Sequence, residues 1–145
     1  MKNIFYWFVL LFSIVVIVSS CAKSEDSKTA TTSSTDNSTS DSGTAFKVTA
    51  SGGKYYLDGT ESKSLNLKKG YTYYFDSSDS STNSHPFYIG TTSGGGNYTG
   101  EYTSGVTSSR TTTGILTFIV PSDSPTTLYY NCGNHSGMGG TITFH

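Results

Sequence analysis

Between Leu128 and Phe144 the chain has to run as a strand, turn within a few residues and return as a second strand. Nothing else in the sequence limits the fold so tightly. Leu128 and Tyr130 alternate with Tyr129 and Asn131, the period of a half-buried strand. Cys132 shares the parity of Leu128 and Tyr130, so its sulfur is expected to point inward at the strand's end. Thr141-Ile142-Thr143-Phe144 then leaves as the next strand, with Ile142 and Phe144 on one face. Between the two lies Gly133-Asn134-His135-Ser136-Gly137-Met138-Gly139-Gly140, where the glycines permit positive φ and close backbone approach. So short a loop can carry His135 and Met138 back over the Cys132 sulfur. A thiol, an imidazole and a thioether at i, i+3 and i+6 make a soft donor set of the kind copper selects.

The rest of the chain from Ala45 to His145 reads as further strands, rich in Tyr, Phe, Val, Ile and Thr. Phe46 and Val48 alternate with Lys47 and Thr49, and Ser51-Gly52-Gly53 turns the chain into Lys54-Tyr55-Tyr56-Leu57. Asp58-Gly59 is a hairpin turn. Leu65 and Leu67 flank Asn66, Lys68-Lys69-Gly70 connects, and Tyr71, Tyr73 and Phe75 share one face of the next strand. Leu116, Phe118 and Val120 alternate up to Pro121. Thr91 to Gly114 is a long polar stretch with room for an edge strand near Tyr98 to Tyr102; a loop of that length is uncommon unless it has a task. No helical apolar spacing occurs after the N-terminal run. About a hundred residues can bury one core without disulfides. The expectation is an all-β chain, a Greek-key β-sandwich of about seven or eight strands over residues 45–145.

Of the two cysteines, Cys21 and Cys132, the second is the one inside this domain. A lone thiol in an exported chain is buried as a small hydrophobe, paired between chains, or liganded. His135 and Met138 beside it favour ligation. Each has a plainer alternative: His135 as a solvent-facing polar residue, Met138 as core filling. His85, in Ser84-His85-Pro86-Phe87, could cap a turn. His145 fits no spacing rule.

The Cys132 block resembles the copper-binding loop of the cupredoxins, the small blue copper proteins, in its short Cys-x2-His-x2-Met form. Leu65-x-Leu67-x-x-Gly70-x-x-Tyr73-x-Phe75 is similar to the hairpin that precedes their upstream His. The resemblance implies a type 1 copper site of His85, Cys132 and His135, with Met138 as a weak axial ligand. It also implies that electrons pass through the edge of His135, with Gly133, Gly137, Gly139 and Pro86-Phe87 as uncharged neighbours. One position departs from the pattern. The electron-carrying members usually place Asn after the upstream His, where it ties the two ligand loops together and its N–H reaches the thiolate; here Pro86 has no N–H. The His-Pro pair is similar to the blue-copper His of multicopper oxidases, but Tyr88 and Gly90 stand where the trinuclear cluster needs histidines. A dinuclear site would need a second Cys in the loop. The resemblance therefore implies a single-electron carrier and not an enzyme.

At the other end, an apolar run from Ile4 to Val18 follows Lys2, too short for a comfortable membrane span and suited to a signal-peptide core. Val18-Ser19-Ser20-Cys21 resembles the lipobox of bacterial lipoproteins, which implies a signal peptide over 1–20 and acylation of Cys21; the plainer alternative is an ordinary secretory signal cleaved after small residues, with Cys21 incidental. Ala22-Lys23 carries no inner-membrane retention signal by that resemblance. Residues 21–44 are Ser, Thr, Asp, Asn and Lys with nothing large to bury, and read as a disordered tether. Such a chain reaches roughly 25–30 Å. The expected location is the cell envelope, lipid-anchored, on an outer membrane facing the periplasm or at the cell surface.

Charge excludes one class of partner. From Cys21 onward eight Lys and Arg face ten Asp and Glu, a balance of −2, with no basic patch. Nucleic acid is not expected. A redox protein of unspecified identity is the expected partner, and a monomer the expected state. A copper-delivery module and a metal-free structural or adhesive sandwich are the alternatives.

Overall fold

A computed structural model describes residues 43–145. The apolar run, Cys21 and the Ser/Thr-rich stretch as far as residue 42 lie outside the described residues. Ten strands follow in order: β1 Thr44–Ser51, β2 Lys54–Leu57, β3 Thr60–Glu61, β4 Leu65–Leu67, β5 Thr72–Asp76, β6 Phe87–Gly90, β7 Val106–Thr107, β8 Ile115–Ile119, β9 Thr127–Cys132 and β10 Gly139–Phe144. A single 3-10 turn at Ser80–Thr82 precedes β6, and there is no α-helix among the described residues. The count exceeds the expected seven or eight because β3 and β7 are two-residue pairings too short to leave a pattern.

The strands form a six-stranded sheet in the order β3-β2-β1-β5-β8-β7 and a four-stranded sheet in the order β4-β10-β9-β6. Two pairings are parallel, β1 with β5 and β4 with β10, and both join strands distant in sequence. The chain must therefore cross between sheets, as in a Greek-key sandwich. One face of each sheet supplies the core. Phe46, Val48, Tyr55, Leu57, Phe75, Leu116 and Phe118 come from the larger sheet, and Leu65, Leu67, Phe87, Ile89, Leu128, Tyr130 and Ile142 from the smaller. Aromatic rings span the gap: Phe87 lies 5.1 Å from Phe75 and 5.2 Å from Tyr55, centroid to centroid.

The parity read for β9 holds for Leu128, Tyr130 and Cys132, all fully buried, but the strand is not open on its other face throughout: Asn131 is buried there too, its side-chain amide donating to Thr92 O. The Asp58-Gly59 turn takes positive φ at both residues, 50° and 79°, the geometry that matches strand twist in a tight hairpin. Two expectations are corrected. Tyr71 does not share the buried face of Tyr73 and Phe75; it precedes β5, is 44% exposed and sits under the Lys68 ammonium, 4.2 Å from its ring. The stretch Tyr98 to Tyr102 is not an edge strand. It makes one isolated bridge, Glu101 to Gly90, and the short edge strand lies further on, at β7.

What that long segment does is cover β6. Tyr102 N–H donates to Ile89 O at 2.8 Å, Arg110 N–H to Phe87 O at 2.8 Å, and Phe87 N–H to Thr111 O at 2.9 Å. All four residues of β6 are buried as a result, although it is the last strand of its sheet.

Candidate metal centre

β6 and β9 are antiparallel neighbours with Phe87 opposite Cys132, so the residues just before β6 and just after β9 meet at one end of the sandwich. His85 arrives there from the 3-10 turn: its N–H donates to Thr82 O at 2.8 Å, and the buried Tyr55 hydroxyl donates to its carbonyl at 2.7 Å. Thr82, itself buried, keeps its hydroxyl within hydrogen-bonding distance of the carbonyls of Ser77 and Thr112. Cys132 closes β9. Its N–H donates to Met138 O at 2.9 Å, which fixes the width of the loop between them.

Three side-chain atoms converge. Cys132 Sγ lies 3.5 Å from His135 Nδ1 and 3.8 Å from His85 Nδ1, and the two Nδ1 atoms are 3.2 Å apart. The point equidistant from three atoms so separated, found by dividing the product of the sides by four times the triangle's area, lies about 2.0 Å from each. That is the length of a metal–nitrogen bond and slightly under that of a metal–thiolate bond. The three donors are therefore spaced as ligands of one first-row metal ion, with the sulfur needing to draw back by about 0.3 Å. Met138 is fully buried beside this loop. Cys132 is fully buried, His85 half-buried and His135 exposed, so the imidazole of His135 is where the centre meets solvent.

Two titrations register the crowding. Burial, and then the neighbouring His135, push the His85 imidazole below its ordinary value and favour its neutral, ligating form. Burial, and then the neighbouring Cys132 side chain, drive the Tyr55 phenol far above its ordinary range, so it stays a donor to the His85 carbonyl.

The missing N–H at Pro86 is made good in another way. Gly133 N–H donates to Pro86 O at 2.8 Å, and the Asn134 side-chain amide donates to Ser84 O at 3.0 Å. The tie between ligand loops thus runs from the Cys132 loop to the His85 loop. The expected surroundings of His135 are corrected in part. Pro86, Phe87 and Gly133 are buried, and the loop residues exposed beside His135 are Asn134, Ser136 and Gly137. The exposed loop side chains at the rim are uncharged but polar, and one cation reaches it. Lys54 is the cation nearby, its Nζ donating to Gly137 O at 3.0 Å.

The sequence singled out neither Tyr55 nor Asn134, whose roles are single hydrogen bonds to carbonyls that no pattern marks. His145 lies elsewhere, its Nδ1 3.1 Å from Asn66 Oδ1.

No protein-family model and no curated protein sequence matches the chain. Among solved structures it is similar to rusticyanin from Thiobacillus ferrooxidans, at 15% identity and a TM-score of 0.44 over 70% of this chain and 76% of that one. It is similar also to reduced rusticyanin, at 16% identity and a TM-score of 0.46 over 70% of this chain and 78% of that one. Overlaps so loose carry neither ligand nor activity across.

Proposed function

We propose that residues 43–145 bind one copper ion through His85, Cys132 and His135, with Met138 as a weak fourth ligand, and carry single electrons. The observation behind this reading is the convergence of two imidazole nitrogens and the Cys132 sulfur around one point close to bonding distance from all three. A thioether as the remaining soft group, with no carboxylate in the cluster, favours copper over harder ions.

When bound, copper supplies a reversible one-electron couple. The chain supplies a fixed cage. β9 anchors Cys132, Tyr55 and Thr82 anchor the backbone of His85, and the Met138 carbonyl sets the loop width. Donors held this firmly suit both oxidation states, so little rearrangement accompanies electron exchange. Burial of Cys132 keeps water from the sulfur, and the exposed His135 ring offers the short route to a redox partner.

Titration of the purified domain with Cu(II) should give an intense visible thiolate-to-copper band that saturates at one ion per chain, with slow loss of Cu(I) to a chelator. Colourless protein with Cys132 still reactive towards a thiol reagent sinks the reading. An intense band with rapid Cu(I) loss would favour copper delivery instead.

The same proposal places the domain in the cell envelope on a lipid carried by Cys21, supported by the apolar run from Ile4 to Val18 ending at Val18-Ser19-Ser20-Cys21. Cys21→Ser should move the protein from the detergent-soluble membrane fraction to an unacylated precursor. Unchanged membrane partitioning after signal removal would refute the anchor.

A further inference from the structure

Gly94, Gly95, Gly96, Asn97 and Tyr98 are five consecutive residues with positive φ, at 94°, 60°, 79°, 52° and 56°. Glycine takes this conformation freely and Asn tolerates it, but a bulky Tyr is strained there. Strain of this kind persists only where surrounding contacts impose it.

Many of those contacts fall on the end of β9 and on the loop that carries His135, with the Tyr88 ring, 5.4 Å from that of Tyr98, adding one from β6. Gly96 N–H donates to Cys132 O at 2.9 Å and Asn97 N–H to Gly133 O at 2.7 Å. Gly137 N–H donates to Gly94 O at 2.5 Å, and the Asn131 side-chain amide donates to Thr92 O at 3.0 Å. The segment thus grips the ligand loop at both ends, residues 131–133 and residue 137, leaving Asn134-His135-Ser136 spanning the gap. The Tyr98 ring lies against Gly133 so closely that a Cβ on that residue would fall 2.3 Å from it. The Arg110 guanidinium covers Tyr98, 4.1 Å from its centroid, and is held by both oxygens of Glu101.

We propose that Gly94–Tyr98 is a clamp on the ligand loop, and that Tyr98, pinned by Arg110, is the positioning residue that keeps His135 over Cys132 and so retards release of the metal. The part concerning release rests on the copper reading above; the part concerning the loop does not.

The test compares wild type, Tyr98→Ala, Tyr98→Phe and Arg110→Gln. In metal-free protein, Tyr98→Ala should speed hydrogen exchange at the amides of Gly96, Asn97 and Gly137 by roughly tenfold or more, with the amides of β5 and β8 unchanged. In copper-loaded protein it should speed Cu(I) transfer to a chelator by roughly 10- to 100-fold, the scale of losing a group that orients a ligand. Tyr98→Phe, which keeps the ring, should match wild type in both, and Arg110→Gln should fall between. If Tyr98→Ala loses its fold, Arg110→Gln alone decides by the same readouts. Wild-type exchange at those three amides in whichever variant decides overturns the clamp. Faster exchange with unaltered Cu(I) release overturns the retention role. Wild-type protein that takes up no copper would overturn the copper reading, while the exchange measurement still decides the clamp.

Discussion

Cys132→Ala leaves a folded domain that binds Cu(II) without the visible thiolate band and with affinity lower by more than the roughly 100-fold that loss of an outer-shell partner costs. The thiolate is the only anionic donor in the cluster and sits at its buried side, so two imidazoles, one of them exposed, are left to hold the ion. The sulfur also fills space at the end of β9, and its removal creates only a small void, so thermal melting of the metal-free variant should stay near wild type. Met138→Leu makes the contrast. It should keep the band and raise the reduction potential, because a thioether ligand is replaced by an apolar group of similar size. Absorption spectra and voltammetry on the two variants check this. A persistent band in Cys132→Ala would place the chromophore elsewhere.

Phe87→Ala destabilises the whole domain by roughly 3–5 kcal/mol, a large part of the roughly 5–15 kcal/mol that separates a typical fold from its unfolded chain. Phe87 is fully buried between the sheets and lies 5.1 to 5.5 Å from the rings of Phe75, Tyr55 and Tyr130. It is also opposite Cys132 and two residues after His85, so the hole would open directly beneath the centre. Urea unfolding of the metal-free protein should show a lower midpoint with an unchanged slope. A loss below roughly 1 kcal/mol would mean that the neighbouring rings collapse into the space.

The residues that announce themselves in the sequence are those whose spacing a strand imposes. Leu128, Tyr130 and Cys132 could be placed inside because a period of two leaves no other choice, and Phe46, Val48, Leu65, Leu67, Leu116 and Phe118 followed on the same ground. Cys132 and His135 could be paired because three residues in a tight loop cannot lie far apart, and His85 joins them, as the resemblance implied. Tyr71 failed because alternation continues on paper past the point where β5 begins, at Thr72. The 91–114 segment was opaque for a different reason. Its contacts with the ligand loop and with β6 are made largely by main-chain groups, which every residue carries, and its side chains fill no periodic face. Gly94-Gly95-Gly96-Asn97 was the visible trace, a run of the residues that accept positive φ, but nothing in it said against what the turn would close.

The cover over β6 bears on how copies of this chain can crowd together. A sheet edge with free N–H and C=O groups is a template for the edge of another molecule, and the strand beside the centre would be the most damaging place for such pairing. Here the outward N–H and C=O of Phe87 and the C=O of Ile89 are already bonded to Thr111, Arg110 and Tyr102. Among the described residues the edges that remain are β3 and β7, of two residues each, and β4, of three. Runs so short offer little purchase for a foreign strand, so the described sandwich gives a second copy few places at which to extend either sheet.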